Sequence, residues 1–227
     1  MKWLIVTGDD FGASRGINRG IVQAYRDGIL TSASLLVNRP ASVEAAALGR
    51  DHRSLSLGLH LELDLADADG AAAQCERQMA RFRELTGEQP THVDSHHDVH
   101  HDARVLPHVL AGARRVGAPV RGHSEVRHLA KFYGQWGGAT HPERIGVEGL
   151  MRLLDAELRE GVTELSCHPG YVEPEFRSSY LAERELELRT LCDPRVWRAL
   201  RDRGIQLIGF RDLPARAWAA TVTAEAT

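Results

Sequence analysis

Short runs of apolar and β-branched residues alternate along the chain with longer segments in which apolar positions recur every three or four residues. The short runs are typical of buried strands, and the longer segments are typical of amphipathic helices. The predicted strands are 3–7, 31–37, 56–60, 92–95, 119–122, 164–168 and 206–209. The predicted helices are about 14–28, 40–50, 71–86, 103–116, 146–160 and 181–203.

This alternation predicts the fold class. Strands joined through helices pair in parallel by right-handed crossovers, so the order predicts an α/β fold. About seven parallel strands predict a (β/α) barrel, incomplete or distorted, and a doubly wound open sheet is the alternative. We expect a single domain over residues 1–215 and a frayed tail over 216–227. Glycines just past five predicted helices indicate left-handed C-caps at Gly28, Gly87, Gly117, Gly161 and Gly204.

Composition narrows the classes of function. The chain has 227 residues, of which 43% are hydrophobic and 26% charged, as in an ordinary globular protein. A net charge of -3 offers no basic face, so we expect no nucleic-acid partner. No apolar run approaches the roughly 20 residues that span a bilayer, and residues 3–6 are too short an apolar run for a signal peptide. The three cysteines form no CxxC pair, which predicts reduced thiols and a cytoplasmic protein. The sequence does not decide the oligomeric state, and a homodimer is one possibility.

Candidate chemistry gathers after the predicted strands. The polar clusters 8–12, 60–62, 94–96 and 167–170 each follow the apolar part of a strand. In parallel α/β folds the carboxyl ends of strands meet at one rim, where active sites lie. The four clusters are therefore expected to converge on one site.

The segment 91–102 holds five of the chain's 12 histidines together with three aspartates. Imidazole and carboxylate are the ligands of zinc and other first-row divalent metals, so this segment predicts metal binding. Asp94 could ligate, orient a ligand histidine or cap a turn, and His100 could share a helical face with His96. Which of His92, His96, His97, His100 and His101 bind metal or substrate is not decided by the spacing.

Three more positions carry candidate chemistry. Asp9 and Asp10 are adjacent on an extended segment, so their side chains point apart and one could ligate a metal while the other takes a proton. Ser14 is the better candidate to cap the helix that follows them. His168 is held extended by the next proline, which makes a stiff mount for a proton donor, while Cys167 is expected to be a small buried hydrophobe.

Aromatic residues are concentrated at 132–136 in a chain whose aromatic share is 6%. Tyr133 and Trp136, beside glycines, suit a platform for a sugar face, and a hydrophobic plug under a loop is the alternative. We add Arg121 and Tyr171 to this set of candidate substrate contacts.

Taken together, these motifs resemble the YdjC-like carbohydrate deacetylases. The matching segments are 7–12, 28–34, 58–61, 91–97, 166–170, 183–188 and 209–213. The resemblance implies a barrel-like deacetylase in which Asp10, His60 and His96 bind a metal. It also implies that Asp9 is the general base and His168 the proton donor. We ourselves place Asp94 and His100 next to the ligands, where they would orient them. Asp98 interrupts the family's usual histidine string, and the stretch between His60 and Cys75 is abbreviated, which bears on the substrate.

The sequence thus predicts a metal-dependent hydrolase that removes an N-acetyl group from an amino sugar or glycoconjugate and releases acetate. One divalent ion is expected, Mg²⁺ or Zn²⁺, with Co²⁺ or Mn²⁺ as further candidates. Two alternatives stay open. Two histidines and a carboxylate also form the facial triad of non-haem iron oxygenases. The chain could also be a non-catalytic carbohydrate-binding protein in which the metal only stabilises the fold.

Overall fold

A parallel sheet of seven strands forms the centre of the computed structural model, which describes residues 1–213. Every strand pair in this sheet is parallel. Its strands are β1 Lys2–Phe11, β2 Ser32–Leu35, β3 Ser56–Leu61, β4 Val93–Ser95, β5 Arg127–Leu129, β8 Gly161–Cys167 and β9 Ile205–Leu207. A separate antiparallel pair consists of β6 Gln135–Trp136 and β7 Ala139–Thr140. The predicted tail over 216–227 lies outside the described residues.

The order of the sheet is β4-β3-β2-β1-β8-β5, with β9 paired to β1. Strand β1 has β8 along one edge, while its other edge carries β9 near the start and β2 near the end. No ladder joins β4 to β5 among the described residues, so the sheet curls without closing. The prediction of an incomplete barrel with about seven parallel strands is therefore confirmed.

Eight helices accompany these strands in residues 1–213. They are α1 Arg15–Asp27, α2 Ser42–Asp51, α3 Ala71–Thr86, α4 Leu106–Val116, α5 Pro142–Ile145, α6 Val147–Glu157, α7 Ala182–Leu191 and α8 Pro194–Asp202. Ser14 caps α1 as predicted, because its hydroxyl accepts a hydrogen bond from the Ile17 amide at 3.2 Å. None of these helices is both long enough and apolar enough to cross a bilayer.

Four local predictions are wrong. The helix expected over 181–203 is two helices, because Asp193 caps a new helix and Pro194 cannot continue the old one. The strand expected at 119–122 makes only the bridge between Val93 and Val120, since Gly122 turns the chain at φ 69°. Gly28 is not left-handed: it makes room for the Leu191 carbonyl, which a Cβ would approach to 2.5 Å. Gly161 is not a helix cap either, because α6 ends at the Leu158 cap and Gly161 is the first residue of β8. Of the other predicted caps, Gly87 and Gly117 are left-handed C-caps, and Gly204 is left-handed just past the cap of α8.

Helix α1 lies directly against the segment that carries His168. A Cβ on Gly20 would lie 2.5 Å from the Gly170 Cα, closer than two carbon atoms can approach without a backbone shift. Gly112, in the middle of α4, has only ordinary contact in the same direction, with the Met79 Cε at 3.7 Å. Both glycines lie inside helices, but only Gly20 lacks space for a methyl group, so alanine substitutions at the two positions can be compared directly.

We expect Gly20→Ala to destabilise the protein by about 1–3 kcal/mol, because overpacking outweighs the better helix propensity of alanine. Gly112→Ala should instead stabilise it by about 1 kcal/mol or less. Urea unfolding of both variants measures the difference. Equal effects of the two substitutions would contradict the close approach of α1 to Gly170.

Candidate metal centre and active site

The end of β1 presents two buried aspartates in an irregular backbone. The register of β1 shifts between Gly8 and Phe11, and Asp10 has φ 66°, in the left-handed region. A non-glycine residue there costs on the order of 1–3 kcal/mol and is found most often at functional sites. The irregularity allows Asp9 and Asp10 to serve two different groups of side chains.

Asp10 meets two histidines from the ends of neighbouring strands. Its Oδ1 lies 3.1 Å from His96 Nδ1 and 3.5 Å from His60 Nε2, while its Oδ2 accepts a hydrogen bond from Arg184 at 2.6 Å. Asp10 Oδ1 is buried, and although the two imidazole nitrogens are near it, no group among residues 1–213 meets it in hydrogen-bond geometry. One atom from each of the three residues lies within 4.8 Å of the other two. A carboxylate oxygen and two imidazole nitrogens facing one point are a ligand set that fits a divalent cation.

The electrostatics of this cluster favour positive charge. Burial raises the pKa of Asp10. His60, His96 and the Arg184 guanidinium lower the same pKa by a larger amount, so it lies well below its usual range. Burial lowers the pKa of His60, but Asp94, Asp10 and Asp9 outweigh this and hold it well above its usual range. The negative field that retains a proton on His60 would equally retain a cation.

Asp94 lies behind His60. Its Oδ1 is 2.8 Å from His60 Nδ1, and its Oδ2 accepts a hydrogen bond from the Ser34 hydroxyl at 2.6 Å. A carboxylate on the far nitrogen of a histidine fixes the tautomer and the ring orientation. His60 is thereby turned with Nε2 toward Asp10.

Arg121 joins three buried carboxylates. It donates two hydrogen bonds of 2.8 Å to Asp9, and its Nη2 lies 2.6 Å from Asp94 and 2.9 Å from Glu164. Its side chain is only 2% exposed. We predicted a substrate contact here. Arg121 does line the cavity, but Asp9, Asp94 and Glu164 surround its guanidinium, so its contact with substrate stays a prediction.

His168 faces Asp9 from the end of β8. Its Nε2 lies 3.9 Å from Asp9 Oδ2, and its buried Nδ1 has no partner among the described residues. Burial lowers the pKa of His168, and the nearby Asp9 and Asp10 offset only part of that effect. Cys167, one residue earlier, is fully buried with a raised pKa and points to the Thr7 carbonyl, so it is the small buried hydrophobe that we predicted.

Helix α7 supports His168 from behind through Glu187. The carboxylate of Glu187 accepts hydrogen bonds from the His168 amide and the Tyr180 hydroxyl. Burial raises the pKa of Glu187 to about 8, although these hydrogen bonds and Arg184 act in the opposite direction. The folded protein therefore holds a proton on Glu187 at pH values where the unfolded chain has lost it.

This shift predicts a pH dependence of stability. Between the ordinary pKa of 4.5 and about 8, only the unfolded state has lost the proton, so stability falls as pH rises through that window. Glu187→Gln cannot titrate, and we expect its melting temperature to fall less between pH 5 and pH 8 than that of the native protein. Glu185→Gln, on the same helix, is the control and should retain the native slope. Equal slopes for the native and Glu187→Gln proteins would contradict the raised pKa.

A cavity of about 770 Å³ opens over these groups. Asp9, Asp10, His60, His96 and His168 all line it. The four predicted clusters at strand ends therefore contribute to one site.

Of the other predicted substrate contacts, only Tyr133 lines the cavity among the described residues. Tyr133 lines the cavity and stacks on Tyr180 at 4.6 Å. Trp136 is not among the described residues that line it, because the β6–β7 pair carries it away and it stacks on His141 at 3.5 Å. Tyr171 is also outside the lining, since its hydroxyl is turned to Gln23. The cavity lining therefore gives no support to substrate contact by Trp136 or Tyr171, and both roles stay predictions.

The remaining histidines have separate surroundings. His97 lines the cavity in a left-handed conformation. His92 stacks on Phe210 at 4.0 Å and is hydrogen-bonded to Ser34, so it is a buried core residue. His100 is buried between Ser95 and the Arg121 carbonyl, and His101 contacts His123.

Two buried residues of the site, Arg184 and Glu187, were missed from the sequence. Four of the six residues in the segment 183–188 are charged, which is typical of a solvated helix. The signal was in the spacing: Arg184, Glu187, Leu188 and Leu191 follow the i, i+3, i+4, i+7 pattern of a buried face.

Comparisons with known proteins agree with this architecture. The model of the family described as YdjC-like protein matches residues 3–71 and 64–202. The chain is 34% identical over 247 residues to a carbohydrate deacetylase of Geobacillus stearothermophilus, covering 93% of this chain and 98% of that protein. It is also 34% identical over 248 residues to a chitooligosaccharide deacetylase of Klebsiella pneumoniae subsp. pneumoniae, covering 92% and 98%.

Solved structures show the same fold. A protein of Enterococcus faecalis proposed to cleave cellobiose-phosphate superposes with a TM-score of 0.81 at 25% identity, over 93% of this chain and 98% of that one. A family 4 acetyl xylan esterase of Clostridium thermocellum superposes with a TM-score of 0.58 at 13% identity, over 94% of both chains, and this likeness shows the fold alone. From the matches in sequence and fold together, the chain belongs to the YdjC-like protein family.

Proposed function

We propose that this protein is a metal-dependent hydrolase that removes the N-acetyl group from an amino sugar or glycoconjugate and releases acetate. The observation that carries the proposal is the convergence of Asp10, His60 and His96 beside Asp9 and His168 in one cavity. The deacetylase names of the relatives support the same reaction.

Asp10, His60 and His96 would hold the ion. The unpartnered buried oxygen of Asp10 fits this role, because a buried carboxylate oxygen otherwise costs desolvation energy. When bound, a divalent ion acts as a Lewis acid on an acyl carbonyl and lowers the pKa of water toward roughly 7. Zn²⁺ and Mg²⁺ are our first candidates, with Co²⁺ and Mn²⁺ after them.

Asp9 and His168 would handle the protons. Arg121 holds the Asp9 carboxylate in position with two hydrogen bonds, so that Asp9 can take a proton from the attacking water. His168 would give a proton to the departing nitrogen, since an amine leaves poorly as an anion. The lowered pKa of His168 makes its protonated form the stronger acid for this step.

The cavity suits a sugar. Its volume of about 770 Å³ lies within the range that small-molecule sites occupy. Tyr133 and Tyr180 form a stacked aromatic pair, and both residues line the cavity. An exposed ring face would pack against the apolar face of a pyranose.

The parallel sheet and the family membership favour this hydrolase over a non-haem iron oxygenase. A non-catalytic carbohydrate-binding protein would have no use for a base and a proton donor 3.9 Å apart beside the candidate metal ligands.

Acetate release from a panel of N-acetylated mono- and oligosaccharides tests the proposal. We expect release from at least one member, loss of release in a chelator, and recovery on adding Zn²⁺, Mg²⁺ or Co²⁺. Turnover should persist without oxygen, whereas an oxygenase would stop. Binding of the sugars with no acetate release would instead indicate a carbohydrate-binding protein.

A further inference from the structure

Outside the cavity, three histidines meet where two segments touch. His100 and His101 belong to the 3₁₀ segment His96–His101 that follows β4, and His123 follows the turn at Gly122. One ring nitrogen from each lies within 4.8 Å of the other two. None of the three is among the described residues that line the cavity. The cluster is therefore distinct from Asp10, His60 and His96.

The closest nitrogens are those of His101 and His123. His101 Nδ1 lies 2.9 Å from His123 Nε2, with ring centroids 4.9 Å apart. The two atoms thus point at one another and share a single proton. Two nitrogens bound to one tetrahedral Zn²⁺ at about 2.0–2.1 Å would lie roughly 3.3 Å apart. Small side-chain rotations are enough to replace the shared proton by a cation.

The surroundings hold the pair in place. Gly122 has φ 69°, and a Cβ there would lie 2.9 Å from His101 Cε1, so the backbone turn gives the imidazole its room. His100 anchors the adjacent residue, because its Nδ1 meets the Ser95 hydroxyl at 2.7 Å and its Nε2 meets the Arg121 carbonyl at 3.1 Å. Burial and the neighbouring His101 lower the pKa of His123, which keeps its lone pair available at neutral pH.

We propose that His101 Nδ1 and His123 Nε2 form a second transition-metal site, completed by water and braced by His100. Imidazole ligands suit Zn²⁺, Ni²⁺ and Cu²⁺ and disfavour Mg²⁺. The ion would link the segment that carries His96 to the segment that carries Arg121. An occupied second site would therefore stiffen the support of the cavity without touching the substrate.

Calorimetric titration of the chelator-treated full chain with Zn²⁺ tests this site. We expect two equivalents for the native protein and one equivalent each for His101→Asn and His123→Asn. His108→Asn, a histidine on α4 outside these clusters, is the matched control and should retain two. His60→Gln should lose the other equivalent, and the His60→Gln/His123→Asn protein should lose both. Circular dichroism checks that each variant is folded.

The outcomes separate the two sites. A single equivalent that survives His123→Asn and disappears with His60→Gln would overturn the second site and leave the proposed active site intact. One equivalent lost to either substitution would also overturn it, because the two sets of histidines would then act as one site. Mg²⁺ supplies a further test: it should not compete for the equivalent that His123→Asn removes.

Discussion

An Asp10→Asn protein is expected to lose both its divalent ion and its turnover. Asparagine tolerates the left-handed φ of 66° and nearly matches aspartate in volume, so the backbone at the end of β1 should survive. The negative charge opposite His60, His96 and Arg184 disappears. Because a catalytic ion supplies several kcal/mol of transition-state stabilisation, we expect kcat/KM for acetate release to fall about 1,000-fold or more. Metal analysis after dialysis measures the first effect, and acetate release measures the second.

Asp98→Asn is the matched control. Asp98 also lies at the cavity and also has a positive φ, of 52°, but it is not one of the three converging ligands. Its substitution should leave the metal content unchanged. Retention of both metal and full activity by Asp10→Asn would refute the proposed centre.

A His168→Ala protein should keep its metal but lose most of its activity. Removing a general acid lowers rates by about 10²–10⁴-fold. Among the described residues, the ion pair of His168 is with Asp9 and not with Asp10. The substitution should lower kcat and leave KM nearly unchanged. It should also be smaller for an activated aryl acetate, whose leaving group needs no proton, than for an N-acetyl sugar.

His128→Ala is the control for this variant. His128 lies on the neighbouring strand β5 and is hydrogen-bonded to Ser166 at 2.9 Å, outside the described cavity lining. Its loss should leave the ratio of the two activities as in the native protein. If His168→Ala lowers amide and activated ester turnover equally, its role as proton donor is wrong.

Most of the fold and the convergence of the site followed from the sequence. The meeting of Asp10, His60 and His96 was predictable because each ends an apolar run, and parallel strands bring their carboxyl ends to one rim. Their selection as metal ligands came only from the resemblance to the deacetylase family. Strand β5 was not predicted, because its three residues, Arg-His-Leu, carry no periodic pattern. Its place in the sheet depends only on pairing with β8.

The partners of the site were harder to predict than its centre. Arg184 is buried because the Asp10 carboxylate compensates its charge, a long-range pairing that no local spacing encodes. The sequence predicts that Arg121 is free to bind substrate, but in the structure Asp9, Asp94 and Glu164 surround its guanidinium. The sequence predicts that Trp136 packs against a sugar, but in the structure the β6–β7 hairpin places its ring against His141.

The pairing of β1 with both β8 and β9 has a consequence during synthesis on the ribosome. Residues 2–4 pair with 161–163 on one side and 205–207 on the other. The strand that carries Asp9 and Asp10 therefore cannot complete its pairing until residues 205–207 have been synthesised. Contacts between such distant residues slow folding and leave apolar strand edges exposed meanwhile. Nascent chains stalled before β9 emerges should therefore depend on chaperones that cover the Trp3–Val6 stretch.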